Sequence, residues 1–245
     1  MTKLVQPLHV LSAGSLRHAF PAIIAAFSEQ TGIPVTLILG PAGLLRERIE
    51  AGEHFDLFAS ANMAHPQRLA TKGITDDVVC FARNSLCVLC RSDLGMTTEN
   101  LLEILADPAI KIGTSTPGDD PSGDYAFEMF DRIEAKHPGR GNALKTRARQ
   151  LVGGRDSPPT PPGKGGGWLI TEGEADLFLS YSSNARLLEN DPALSIVDIP
   201  DELSPNIEYG LAVRSSAPPQ ARQFMTFVMS ESGQDILGKN GFITA

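Results

Sequence analysis

The groups with chemistry to offer in this sequence are neutral donors, gathered at short runs of small residues. Ser12-Ala13-Gly14-Ser15 follows an apolar run ending at Leu11, and Gly40-Pro41-Ala42-Gly43 follows the apolar, β-branched run PVTLIL. Ser60-Ala61-Asn62 ends the run DLFAS, and Tyr181-Ser182-Ser183-Asn184-Ala185 follows the run DLFLS. Pro121-Ser122-Gly123-Asp124 follows a Gly/Pro turn. Each run stands where an apolar strand gives way to helical apolar spacing. A helix start carries unpaired N–H groups and about half a positive elementary charge, so a hydroxyl placed there completes an anion site. Ser15 reads as the N-cap of a helix whose stripe is Phe20, Ile23, Ile24 and Phe27. Ser122 reads as the cap of a helix carrying Ala126, Phe130 and Ile133 on one face. One capped corner is an ordinary helix start; repetition of the corner directs attention to a ligand.

Other chemistries find little support. No phosphate-loop, dinucleotide-loop or nucleophile-elbow motif is present, and no base is spaced to serve a nucleophile, so the chain reads as a binder and not an enzyme. His9, His18, His54, His65 and His137 are scattered, which argues against a metal site. Cys80, Cys87 and Cys90 are odd in number. Cys87 and Cys90 fall within one apolar strand, where residues three apart face opposite ways, so they read as small buried hydrophobes. No cofactor is implied. A formal net charge of −8 argues against nucleic acid or an anionic membrane as partner, while leaving room for a small anion held by neutral donors.

The elements that position these corners alternate between strand and helix, which predicts an α/β fold with largely parallel sheets. Strands are expected at 8–11, 34–39, 56–60, 86–90, 111–114, 176–180, 195–199 and 208–213, and a final amphipathic helix at 219–237. The stretch VGGRDSPPTPPGKGGG, Val152 to Gly167, can form neither helix nor strand. It reads either as a solvated excursion or as a ligand-facing loop that offers the Arg155 guanidinium, whose bland alternative is a surface pair with Asp156. Met1 to Leu8 shows no secretion leader, so the sequence is that of a cytosolic protein or of one whose leader has been removed.

Several segments together resemble the periplasmic molybdate-binding protein family, the solute receptors of oxyanion ABC importers. The most specific is GLLRERIEAGEHFDLFASAN, Gly43 to Asn62; AGSL at Ala13, PSGDYA at Pro121, GEADLFLSYSSNA at Gly173 and IEYGLAV at Ile207 support it. The resemblance implies a two-lobed, type II periplasmic-binding-protein-like fold with a hinge and an interlobe ligand cleft. Lobe I is then residues 1–81 and 202–245, and lobe II is 82–201. It also implies a tetrahedral oxyanion as ligand, molybdate or tungstate, with an ABC permease as partner, a monomer, and periplasmic location. Carried over by position, the ligand-binding residues are Ser15, the Ala42 and Gly43 backbone, Ser122 (by its backbone), Gly163 and Tyr181. Two positions depart from the family pattern. Ala42 stands where the family has a serine, and Gly163-Lys164-Gly165-Gly166 stands where it has a V-R-x-A helix start. A receptor for a different small anion, or a cytosolic ligand-sensing domain of the same fold, fits these departures too.

Overall fold

The computed structural model describes residues 6–76, 78–158, 161 and 164–245. The chain divides into two compact units, Met1–Asn84 with Glu208–Ala245, and Ser85–Ile207. The first unit begins with β1 (Leu8–Ala13), α1 (Ala19–Thr31), β2 (Val35–Gly40), α2 (Ala42–Glu50), β3 (Leu57–Ser60), α3 (Ala64–Thr71) and β4 (Val79–Asn84). The second holds β5 (Leu86–Arg91), α4 (Leu101–Ala106), β6 (Ile112–Ser115), α5 (Pro121–Lys136), α6 (Arg140–Arg147), β7 (Arg149–Val152), α7 (Gly166–Thr171), β8 (Leu177–Tyr181), α8 (Ser182–Ala185) and β9 (Leu194–Asp198). The first unit is completed by β10 (Ile207–Val213), α9 (Pro219–Met229), α10 (Glu231–Lys239) and β11 (Ile243–Thr244).

The sheet of the first unit is six-stranded, in the order β11-β4-β10-β3-β1-β2; that of the second is five-stranded, in the order β7-β6-β8-β5-β9. Both are mixed where largely parallel sheets are expected from the sequence. β1 is parallel to β2 and β3, and β6 is parallel to β7 and β8. β5 is antiparallel to β8 and β9, β10 to β3 and β11 to β4; of these, β5 and β10 stand next to a crossing between units. Such a strand is not the product of a right-handed βαβ crossover, so nothing obliges it to run parallel.

Apolar burial holds each unit in place. Leu8, Val10 and Leu11 of β1 are at most 1% exposed, as expected of a strand covered on both faces. The α1 stripe of Phe20, Ile23 and Phe27 is equally buried, with Phe27 edge-on to Phe224 of α9 at 5.0 Å and Phe20 edge-on to Phe81 of β4 at 5.8 Å. In the second unit Leu89, Leu169, Ile170, Ala175, Phe178 and Leu194 form one cluster, with Trp168 packed against it. Cys87 and Cys90 are buried in β5, and burial pushes their thiols up to about 12 and about 11.

Three local expectations are corrected. Ser15 is not a helix cap: a 3-10 turn, Gly14–Leu16, intervenes, and α1 begins after His18 without a side-chain cap. The cap of α5 is Asp120, with Pro121 in the first turn, so Ser122 already lies inside the helix. The last helical stretch is two helices, because Ser230 is extended (φ −72°, ψ 164°) and its Oγ accepts the Gly233 N–H to start α10.

Candidate functional site

In the first unit, parallel register sets the candidate residues beside one another. Ala13 pairs with Gly40 and Ser12 with Ala59, so the turns after β1, β2 and β3 leave the same edge of the sheet. The step from β1 to β2 goes outward and the step from β2 to β3 returns across β1, the strand-order reversal at whose carboxyl edge open α/β sheets bind ligands.

The three turns differ in what they leave available. After β3 the polar groups satisfy one another: Ser60 Oγ donates to Asn62 Oδ1 at 3.1 Å, and the His65 N–H donates to the same oxygen at 3.0 Å. After β2 the start of α2 is open. Pro41 is its N-cap and supplies no side-chain acceptor, and the first helical hydrogen bond runs from the Leu45 N–H to the Pro41 carbonyl. Among the described residues the N–H groups of Ala42 and Gly43 meet no acceptor, although Ala42 is only 1% exposed. An unmet N–H in so buried a place costs free energy until an acceptor arrives. After β1, Ser15 Oγ accepts a hydrogen bond from Tyr209 Oη at 3.0 Å, and its own hydrogen has no acceptor among the described residues. Ser15, Ala42 and Gly43 are thus brought together as three donors on one edge.

In the second unit the same geometry gathers Ser122, Arg155 and Tyr181. Ser115 pairs with Val152 and Gly113 with Phe178, so β6, β7 and β8 deliver their carboxyl ends side by side. The start of α5, however, is closed. The Ser122 N–H donates to Asp120 Oδ1 at 3.0 Å, and the Gly123 and Asp124 N–H groups donate to the Asp120 carbonyl. Ser122 therefore offers its hydroxyl and not the backbone N–H that the family resemblance implies. Gly123 is required where it stands: a Cβ on it would come within 2.7 Å of the Ser115 carbonyl oxygen and 2.5 Å of the Thr116 carbonyl carbon.

The Gly/Pro-rich stretch begins as part of this site. Thr116 Oγ1 donates to the Val152 carbonyl at 3.0 Å, and the Gly154 N–H donates to Ser157 Oγ at 2.9 Å. Gly153 is left-handed (φ +78°), and a Cβ there would lie 2.6 Å from Asp120 Oδ2. Arg155 pairs with Asp119, not with Asp156: its N–H reaches Asp119 Oδ2 at 3.0 Å and its guanidinium reaches Oδ1 at 3.2 Å. Burial works against the charged Asp119 carboxylate, yet these hydrogen bonds hold it below the usual range. Asp124 is pushed up by burial, opposed by the Gly118 N–H it accepts. Tyr181 ends β8 at 3% exposure, its ring edge-on to Tyr125 at 6.4 Å. Gly163 lies outside the described residues.

Tyr209 and Asn84 are not singled out by the sequence. Asn84 Nδ2 donates to Tyr209 Oη at 3.3 Å, which in turn donates to Ser15. The available signals were faint: a polar break, Arg83-Asn84-Ser85, between two apolar runs, and a lone tyrosine in IEYGLAV. Among the described residues no three His, Cys, Asp or Glu side chains are grouped to hold a metal ion, and no helix is long and apolar enough to cross a membrane.

Comparison with known proteins places this edge in context. Residues 8–243 match the family described as bacterial extracellular solute-binding protein. An uncharacterized protein of Pasteurella multocida is 39% identical over 240 residues, 97% of this chain and 99% of its own. The periplasmic molybdate-binding protein of Azotobacter vinelandii superimposes with a TM-score of 0.78 at 19% identity, covering 97% of this chain and 99% of its own. The sulfate-binding protein SubI of Mycobacterium tuberculosis gives the same TM-score, 0.78, at 17% identity, covering 97% of this chain and 86% of its own. At these identities the two structures share the fold with this chain.

Proposed function

Because the chain belongs to the bacterial extracellular solute-binding protein family, we propose that it captures a small tetrahedral oxyanion, molybdate or tungstate, for the permease of an ABC importer. The observation that carries this reading is the open start of α2 beside the Ser15 hydroxyl. Two buried N–H groups and one O–H stand there at the positive end of a helix, which suits an oxyanion whose oxygens only accept. As the family resemblance implies, we assign to anion binding Ser15, Ala42, Gly43, Ser122, Gly163 and Tyr181, with Arg155 lending positive charge. The protein then works as a monomer in the periplasm, binding and releasing without turnover.

A second reading, a receptor for a different small anion, is favoured by Asp120. Its carboxylate already fills the place at the start of α5 where an anion oxygen would accept the Ser122 N–H. A ligand that brings a hydroxyl to that end would donate to Asp120 instead of being repelled.

Thermal unfolding in the presence of molybdate, tungstate, sulfate, phosphate and small hydroxy acids separates the two readings, because a ligand of the native state raises its stability. Molybdate and tungstate should raise the midpoint most. Ala42→Ser adds a hydroxyl beside the open helix start and should tighten molybdate by up to roughly ten- to a hundred-fold, the worth of a hydrogen bond to a charged group. Stabilisation by a hydroxy acid alone would replace molybdate with the second reading. No shift with any of these anions would reject both.

A further inference from the structure

Tyr209 is fully buried and Asn84 is 6% exposed, so both present polar groups inside the first unit. The Tyr209 ring is held edge-on between Phe81 at 6.1 Å and Phe242 at 5.3 Å, which fixes where its oxygen stands. Asn84 Nδ2 can only donate, so at 3.3 Å it makes Tyr209 Oη an acceptor on that side. The phenolic hydrogen then points along the 3.0 Å bond to Ser15 Oγ, which accepts it. Ser15 keeps one hydrogen, and it has no other partner among the described residues.

We propose that the Asn84–Tyr209–Ser15 chain is a polarity device that holds Ser15 as a hydrogen-bond donor and so selects fully deprotonated oxyanions over protonated ones. The inference rests on the reading of Ser15 as an anion ligand. A free serine hydroxyl turns to suit its neighbour, donating to a bare oxygen or accepting from a P–O–H group. Tyr209 takes one of the two lone pairs of Ser15, and the Ser15 hydrogen has no acceptor among the described residues. Accepting from a P–O–H group would leave that hydrogen unmet, so donating to a bare oxygen is favoured. With the Ala42 and Gly43 N–H groups, it makes this edge of the site donor-only. Tyr209 and Asn84 are positioning residues in this scheme, since neither has to touch the ligand.

The order of the chain also explains where the device sits. Asn84 is the last residue of β4 and Tyr209 the third of β10, the strands by which the chain leaves and rejoins the first unit. The two crossing strands are therefore joined by a side-chain hydrogen bond, and Tyr209 carries it on to Ser15.

The test is a double-mutant cycle read by calorimetry, with molybdate as the deprotonated probe and monohydrogen phosphate as the protonated one. Tyr209→Phe keeps the aromatic packing and removes only the phenolic oxygen. It should weaken molybdate by roughly two- to ten-fold, the worth of an ordinary hydrogen bond, and narrow the preference for molybdate over phosphate. Ser15→Ala should weaken molybdate by more, and in that background Tyr209→Phe should do nothing further, because its effect passes through Ser15. Asn84→Ala, which frees the phenolic hydrogen to turn away, should give a smaller loss of the same kind. An unchanged molybdate-to-phosphate ratio in Tyr209→Phe, or a loss that persists in the Ser15→Ala background, overturns the inference while leaving the oxyanion reading intact. If the parent protein binds no oxyanion, that reading falls and takes the inference with it.

Discussion

His65 is a histidine that the fold keeps neutral. Burial, then the neighbouring Arg46 and Arg68, push its imidazolium down from 6.5 to about 4, and its Nε2 is buried without a partner among the described residues. The unfolded chain takes up this proton near pH 6.5, whereas the native chain does so only near pH 4. Stability from this group is therefore complete above pH 6.5 and is lost as pH falls toward 4. At ~1.36 kcal/mol per unit, discounted for partial solvent access, the loss is about 1–3 kcal/mol. His65→Leu should flatten the pH dependence of the urea midpoint over that window; a curve parallel to the parent's would exclude the imidazole as its source. Glu50 acts lower. Hydrogen bonds from Arg68 and Lys72, with Arg46 nearby, hold its carboxyl down to about 2, so its contribution disappears only below pH 4.5. The same scale shows why part of the site escapes a reading of the sequence. Ser15 and Ala42 are legible because the corner that presents them is local, a run of small residues between a strand and a helix. Tyr209 and Asn84 are not, because their partners lie 194 and 125 positions away and only the folded sheet brings them together.

Helix starts divide the chain's elements into open and closed. The start of α2 leaves its first N–H groups without an acceptor among the described residues, whereas that of α5 is closed by Asp120 and pressed onto the loop after β6 through Gly123. A methyl at Gly123 would meet the backbone of Ser115 to Pro117, which cannot give way as a side chain can. Gly123→Ala should cost about 1–3 kcal/mol in urea unfolding, as overpacking does, and should loosen the Arg155 loop that the β6–α5 turn holds. Parent-like stability would show that the loop after β6 yields easily. The elements themselves are largely legible, since alternating apolar runs and helical stripes are local signals. The failures have separate causes. Ser122 reads as a cap by residue type, but Asp120 followed by Pro121 satisfies the start of α5 more completely. The polar run Ser230 to Asp235 interrupts the apolar spacing between Met229 and Ile236, and Ser230 is of N-cap type; reading one helix from Pro219 to Leu237 passes over that local signal, where α9 gives way to α10. α6 and β7 are short and mostly polar, Arg140–Arg147 and Arg149–Val152, and give little apolar period to read. The antiparallel strands next to the crossings depend on the two-unit path of the chain, which strand-by-strand patterns do not encode.

At the scale of the whole molecule, the second unit is one continuous segment, Ser85–Ile207, while the first is assembled from both ends of the chain. Expressed alone, Ser85–Ile207 should unfold cooperatively in urea, with its five-stranded sheet complete; residues 6–84 alone should not, because β10 lies between β3 and β4 in the six-stranded sheet. A cooperative transition from 6–84 would overturn this. The interrupted sheet also sets a timetable for the chain as it leaves the ribosome. β3 and β4 are made early, yet both wait with an unpaired edge until residue 213 has been added, roughly 6–30 seconds later at ~5–20 residues per second. The inserted unit can close first, and the lobe that starts the chain is the last to finish. A two-part unit of this design is held open by the segment inserted into it: its sheet cannot be completed until the whole of the other unit has been made.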